Sequence, residues 1–428
     1  MHKLKALFQS RQLVAVGMSG GIRFANAFLG LVNSALLARL LGMTGFGQYA
    51  FIYAIVMIIS IPTRMGLPEL VLRETAYAKR DGAPGRILGV WRWATLTASR
   101  ISLLVLLIAA LGSALLPDQQ TLLAGLLLVP LITLGNLRSA SLRGIGKVIL
   151  GQLPELLLRP AFFFVVLIGL TFFPIGRQLT AIDALLINAG AALLAFIFGS
   201  LLLARSVRDF GPQTAEEFGG RKMVYLAMSL GLVAGLTVIN NNIDILMIRA
   251  FMTDDDVGLY RPASGIAAFT LFGVQIINVV IVPRIASLYR ADKLKQLENT
   301  VRKATRFGFA FGVLAMIVII LWGKILLAKL FGPEFQGGYY ALIILSIAQA
   351  VNASFGPAAS ILNMSGYERR TLRAIAISVI VNLVLNALLI QLYGNNGAAI
   401  STLVAIWTYK SLLSRDIRKI IGVRSNFF

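Results

Sequence analysis

The chain has 428 residues, 57% of them hydrophobic and 14% charged, with a mean hydropathy of +0.81; a soluble domain carries about 45–50% apolar and about 25% charged residues, so the solvent here must be largely lipid. Lys and Arg number 40 against 18 acids, a net charge of +22, but they fall in short segments between apolar runs, which marks membrane topology rather than nucleic-acid binding. With no cysteine and a single histidine, His2, disulfides, thiolate or histidine metal sites, cysteine nucleophiles and histidine triads are all excluded.

A helix needs about 20 apolar residues to cross a hydrocarbon core of ~30 Å. Twelve stretches qualify: 13–40, 47–66, 93–116, 121–140, 155–173, 181–204, 223–250, 259–283, 307–328, 338–362, 372–391 and 396–414. The fold expected is an all-α polytopic membrane protein of twelve helices in two six-helix bundles. With the N-terminus in the cytoplasm, 31 of the 40 basic residues fall in cytoplasmic segments. Only Arg177 and Lys329 fall in opposite-side loops. Both termini are therefore expected inside. The outer loops are short, which leaves no room there for a folded catalytic domain.

Within the spans, Arg23 comes first. It lies 12 residues after Arg11, ~18 Å along a helix, too deep for easy snorkelling. An arginine at that depth costs at least about 2.5–3.5 kcal/mol, so it is expected to face a wet cavity, where its fork of donors suits a pyrophosphate. The alternative is a structural pairing on a neighbouring helix. Asn26 follows one turn later. Arg64 closes the second span and Arg261 opens the eighth; both snorkel unless they turn inward to a cationic lumen. Asp244 is the one acid deep within a span. It reads either as a coupling site for Na+ or H+ or as the partner of an arginine such as Arg39 or Arg261. Amides recur at helical spacing (Asn26 and Asn33, Gln275 and Asn278, Gln349 and Asn352, Asn382 and Asn386), either to meet sugar hydroxyls or to join helices. The basic stretches 138–147, 284–306 and 369–373 read mainly as topology and headgroup contacts. Residues 288–307 have the pattern of an amphipathic surface helix. No Walker-type phosphate loop is present: the nearest approach, Gly144-Ile145-Gly146-Lys147, lacks the upstream glycine and the following Ser/Thr. No cofactor is expected beyond a coupling ion.

The sequence repeats itself across its midpoint. NSALLARLLGMTGFGQY (Asn33 to Tyr49) and NIDILMIRAFMTDDDVGLY (Asn242 to Tyr260) each end a span with an Arg, turn, and enter the next at Gly-x-Tyr. The expected organisation is an N-terminal bundle over 1–204, a cytoplasmic linker over 205–222 and a C-terminal bundle over 223–428. Six spans per half means that both halves enter the membrane in the same sense.

The block ARLLGMTGFGQYAF (Ala38 to Phe51) resembles the first-loop signature of Wzx-type polysaccharide flippases of the multidrug/oligosaccharidyl-lipid/polysaccharide exporter superfamily. GLPELVLRETA (Gly66 to Ala76), LRGIGKVILGQLPELLLRP (Leu142 to Pro160), ILNMSGYERR (Ile361 to Arg370) and GNNGAAIST (Gly394 to Thr402) are similar to further blocks of that family, in its order and over essentially the whole chain. MurJ-type relatives usually carry two further helices. The resemblance implies an undecaprenyl-pyrophosphate-linked oligosaccharide flipped from the cytoplasmic to the periplasmic leaflet of a bacterial inner membrane, for O-antigen, lipopolysaccharide, capsule or exopolysaccharide synthesis. Polymerase and chain-length regulator proteins would be partners, and the chain itself would not be an enzyme. The candidates around the pyrophosphate are Arg23, Asn26, Arg64 and Arg261, read from their place in the spans; the resemblance adds that MurJ-type relatives use first-helix arginines for the pyrophosphate, and that Arg73 and Arg143, within family-like blocks, are candidates at the cytoplasmic entrance. The competing readings are a cation-coupled multidrug antiporter and, less well matched by the short outer loops, a polysaccharide polymerase or ligase.

Overall fold

A computed structural model describes residues 2–114, 118–172, 179–208, 214, 216 and 218–423. Arg177 and part of the 205–222 linker lie outside them. Regular structure among the described residues is helical. In chain order the helices are α1 (His2–Arg64), α2 (Leu67–Arg80), α3 (Pro84–Ser113), α4 (Gln119–Leu126), α5 (Leu128–Gly144), α6 (Val148–Leu153), α7 (Arg159–Thr171) and α8 (Ala181–Arg208). Then follow α9 (Arg221–Phe251), α10 (Asp254–Ala268), α11 (Phe272–Arg290), α12 (Leu294–Leu330), α13 (Tyr339–Ser354), α14 (Ala358–Met364) and α15 (Glu368–Ile420).

Nine helical stretches among the described residues are long and apolar enough to cross a bilayer. Two of them hold a non-helical glycine, Gly42 in α1 (φ 67°, ψ −176°) and Gly394 in α15 (φ 57°, ψ −136°), each dividing its helix into two arms. The expected span at 259–283 is carried by α10 and α11, with a 3-10 turn at Phe269–Leu271 between them. The outward faces are apolar. On α3, Leu103, Leu107 and Leu111 stand one turn apart and all three are exposed, a stripe that is stable only against lipid.

The chain forms two compact units. The first comprises Met1–Leu41 with Ile52–Val238, the second Gly42–Phe51 with Ile239–Phe428. The division thus falls within α9, and the second unit includes the short segment that follows Leu41. The first unit packs around Leu67, Leu70, Val71, Val90, Leu137 and Leu142. A buried hydroxyl pair, Thr63 and Thr133 at 2.6 Å, joins α1 to α5. The second packs around Ile285, Leu297, Val301, Ile361, Leu413 and Ile417. Leu297 and Val301 lie on the first turns of α12. The amphipathic pattern at 288–307 is therefore not a separate surface helix: it ends α11 and begins α12, whose Leu297 and Val301 join a core with Ile285, Ile361 and Leu413 before the helix continues into the next span.

One cation counted as a cytoplasmic marker proves to be internal. Arg138 on α5 is 4% exposed and pairs with Glu155 at 2.6 Å. Its guanidinium also donates to the carbonyls of Ala195 and Phe196 on α8 and stacks 5.2 Å from the Phe196 ring. Glu155 reaches it from a π-helical turn, Pro154–Leu158, between α6 and α7. Gly135 and Gly199 make the room, since a Cβ at either would run into the carboxylate or the guanidinium. Breaking a buried pair leaves an uncompensated charge, so Arg138→Ala is expected to cost ~3–5 kcal/mol of stability. Arg138→Met combined with Glu155→Leu is expected to recover most of it. Thermal unfolding in detergent measures both; equal melting points for the two variants would contradict the pairing.

Candidate functional site

The first unit holds a cationic cavity of about 130 Å³. Arg64 reaches it from the end of α1, Glu69 from the first turn of α2, and Asn136 and Arg143 from α5. Gly231, Ala234 and Gly235 on α9 close it. The walls meet at Gly66, whose φ of 71° only glycine adopts readily and whose missing side chain lets α9 approach. A Cβ on Gly66 would strike the Ala227 carbonyl, and one on Gly231 would strike the Met65–Gly66 backbone.

Each cation has a defined seat. Arg64 donates from Nε to the Ser60 carbonyl at 3.2 Å and from Nη2 to Ser60 Oγ at 2.9 Å. Arg143 donates from Nε to the Ser139 carbonyl at 3.4 Å. Both lie within electrostatic reach of Glu69, and Arg143 also senses Arg23. Two guanidinium groups against one carboxylate leave the cavity with a net positive charge.

Of the residues singled out in the sequence, Arg23, Arg64 and Arg143 thus share one electrostatic neighbourhood. Arg23 is exposed on α1, and Asn26, one turn on, is half-buried. Arg73 sits one turn beyond Glu69 and pairs with Glu74 at 3.1 Å, which also holds Arg86 at 2.9 Å. Arg261 belongs to the second unit, on α10 beside Tyr260.

The second unit holds the other site. Asp244 on α9 is 7% exposed. Its Oδ1 accepts from Asn382 Nδ2 at 2.9 Å and Asn386 Nδ2 at 2.8 Å, both on α15. Its Oδ2 accepts from Thr402 Oγ1 at 2.6 Å, on the far arm of α15, and from Tyr260 Oη at 3.0 Å on α10. All four donors are neutral, so Asp244 is not the partner of Arg39 or Arg261. The Oδ1 of Asn386 is buried without a partner. No group of three or more His, Cys, Asp or Glu placed to hold a metal ion occurs among the described residues. A single carboxylate ringed by amides and hydroxyls matches a proton or a small hard cation, which prefers oxygen ligands.

Of the other amides, Asn33 joins α1 to α7, whereas Asn352 bonds within α13. Asn33 donates to the Pro160 carbonyl at 2.9 Å, and Asn352 to Gln349 at 3.2 Å. Sequence reasoning singled out Asn382 and Asn386 without connecting them to Asp244, and it missed Glu69, Asn136, Tyr260 and Thr402. Tyr260 was legible as the tyrosine of the repeated Gly-x-Tyr.

The two copies of that repeat meet in the second unit. A Cβ on Gly47 would strike the Asp254 carbonyl, and one on Gly258 the Met43 carbonyl. Each glycine thus crosses the residue four places before its counterpart, a self-complementary contact. Thr44 donates to Asp255 across it, and Arg249 pairs with Asp254.

Comparison with known proteins agrees with this architecture. The sequence profile of the family described as polysaccharide biosynthesis protein matches residues 15–289, and the MatE profile matches 229–388. The chain is 24% identical over 424 residues to the probable flippase AglR of Haloferax volcanii, covering 95% of this chain and 83% of that one. It is 27% identical over 187 residues to the probable low-salt glycan biosynthesis flippase Agl15 of the same organism, covering 43% of this chain and 39% of that relative. Among solved structures it superimposes on an inward-facing multidrug resistance MATE transporter with a TM-score of 0.73 at 14% identity, covering 94% and 98% of the two chains. The lipid II flippase MurJ in an inward closed conformation gives 0.73 at 13% identity, covering 93% and 86%. The chain is a multi-pass membrane protein of the polysaccharide biosynthesis protein family, with the fold of the multidrug/oligosaccharidyl-lipid/polysaccharide exporter superfamily.

Proposed function

We propose that the chain flips an undecaprenyl-pyrophosphate-linked oligosaccharide from the cytoplasmic to the periplasmic leaflet of a bacterial inner membrane, for surface polysaccharide synthesis. The observation that carries this reading is the cavity of Arg64, Arg143, Glu69 and Asn136 with Arg23 in electrostatic reach. Guanidinium forks suit a pyrophosphate. Asn136 suits the first sugar hydroxyls, and Glu69 limits the net charge so that the head can leave again. Arg73 stands one turn from Glu69 on α2, at the cytoplasmic mouth in this reading. Asn26 on the first unit and Arg261 on the second are further candidates to meet the head. The lipid tail stays in the bilayer, and the two halves, 1–204 and 223–428 joined by 205–222, rock around the head in alternating access. Both termini are cytoplasmic. The work is transport rather than catalysis, driven by H+ or Na+ at Asp244, and polymerase and chain-length regulator proteins act on the product.

The test is the fate of radiolabelled lipid-linked sugar in a strain lacking the gene. Wild type is expected to restore glycolipid accessible from the periplasmic side. Arg23→Ala and the double variant Arg64→Gln/Arg143→Gln are expected to fail at normal expression. Replacing a charge-assisted contact costs ~1.5–3 kcal/mol, so each variant should lose at least about tenfold in rate. Unchanged accessible glycolipid in the deletion, with no redundant flippase, overturns the reading. The buried membrane acid Asp244 and the MatE match over 229–388 favour cation-coupled drug efflux as the next assay.

A further inference from the structure

The second unit carries a basic cleft that the transport reading does not use. It lies between the two arms of α15, at the ends remote from Gly394. Hydrogen bonding of Ser378 Oγ to the Ala405 carbonyl at 2.9 Å holds those arms side by side. The cleft encloses about 330 Å³, at the lower end of the range for small-molecule sites. Arg370 and Arg373 face it from the first arm, Arg415 and Lys419 from the second, and Asp416 is the acid among its lining residues.

The lining is graded along the two arms. Toward Gly394 the basic residues give way to Ala374 and Ile377 on the first arm and Leu412 on the second, with Ile420 at the outer end. The same face of the first arm continues through Ile380, Val384 and Leu388, all exposed. Charge at the polar end and an unbroken apolar track below it match one amphiphile held upright. The cations come as two pairs, one per arm, with a net charge of +3 after Asp416. All four cations are exposed, so a head with a single phosphate meets one pair and leaves the other to water. A head with two phosphates satisfies both.

We propose that this cleft binds an anionic membrane phospholipid whose head carries two phosphates, of the cardiolipin class, with an acyl chain along Ile377, Ile380 and Val384. Basic pockets between membrane helices bind such heads, and the cleft gives this one a fixed pair of seats. The proposal is independent of which substrate the chain transports.

Arg369 and Arg418 adjoin lining residues in sequence but do not line the cleft, so they serve as charge-matched controls. Purified full-length protein in detergent is mixed with cardiolipin, with phosphatidylglycerol, or with cardiolipin plus excess inorganic pyrophosphate, and bound lipid is counted by native mass spectrometry. Wild type is expected to hold one cardiolipin in preference to phosphatidylglycerol and to keep it against pyrophosphate. Arg373→Gln/Arg415→Gln is expected to lose ~30-fold in affinity, as two near-surface cation contacts predict. Arg369→Gln/Arg418→Gln is expected to lose less than about threefold. Matching elution profiles and melting points certify the fold, and Arg373→Lys/Arg415→Lys, which keeps the charge, is expected to recover most of the binding. Equal losses in the two glutamine variants would reduce the cleft to diffuse surface charge. Displacement by pyrophosphate, or equal binding of phosphatidylglycerol, would also overturn the proposal; the former would assign the cleft to a phosphate ligand free of lipid.

Discussion

Asp244→Asn is expected to leave the protein folded and to remove the response of flipping to an imposed ion gradient. The carboxylate takes four hydrogen bonds, from Asn382, Asn386, Thr402 and Tyr260. Asparagine keeps the size and one acceptor oxygen, and the Thr402 and Tyr260 hydroxyls can rotate to accept from its amide. What asparagine lacks is the charge. A coupling free energy of ~1–3 kcal/mol corresponds to a ~5- to 150-fold change in the coupled equilibrium, and gradient-driven flipping in proteoliposomes should fall by a factor in that range. Asp244→Ala is expected to behave differently. It strands two amides and two hydroxyls in the core of the unit, each costing ~1–3 kcal/mol if left unsatisfied, so it should lower the melting point sharply. The pair of variants separates coupling from scaffolding. If Asp244→Asn retains the wild-type response to both a pH and a sodium gradient, the carboxylate is structural and the driving force lies elsewhere.

The same residue shows how far the sequence could be read. A lone acid in an apolar span is conspicuous because burying it costs so much, and Asn382 and Asn386 are conspicuous for the same reason at i, i+4 spacing. Joining them needs contacts 138 and 142 residues apart in sequence, which no local pattern carries. Spans are legible because their length and apolarity are imposed by the bilayer itself. The interruptions are legible as well: Gly42 and Gly394, which break α1 and α15, fall in the gaps 41–46 and 392–395 between expected spans. Arg138 illustrates the converse error. By position it looks like another cytoplasmic marker, yet Pro154 and the π-helical turn carry Glu155 to it. Arg64 and Arg143 were each singled out, in different roles. Their convergence on Glu69 depends on the tight passage of Gly66 against Gly231. A glycine in a short loop says that a backbone comes close, but not which one.

Gly258→Leu is expected to open the crossing of the two repeats and to trap the transporter. A side chain at Gly258 meets the Met43 carbonyl, and one at Gly47 meets the Asp254 carbonyl. Backbone atoms cannot swing aside as a side chain can, so the helices must separate. In the orientation proposed above this end faces the periplasm, and the segment 42–51 comes from the first half of the sequence although it packs with the second unit. Under the proposed alternating access, we expect this crossing to break and re-form once per cycle. The chain contains no cysteine, so Thr44→Cys/Asp255→Cys places the only two thiols where a hydrogen bond now joins Thr44 to Asp255. Oxidation is expected to cross-link them efficiently, to stop flipping of labelled lipid-linked sugar in proteoliposomes, and to be reversed by reductant. Adding Gly258→Leu should lower the cross-link yield several-fold and itself abolish flipping, because a state that cannot close cannot reset. Wild-type flipping by fully cross-linked protein would mean that the crossing is a fixed hinge, and the moving contact would then have to lie elsewhere in the bundle.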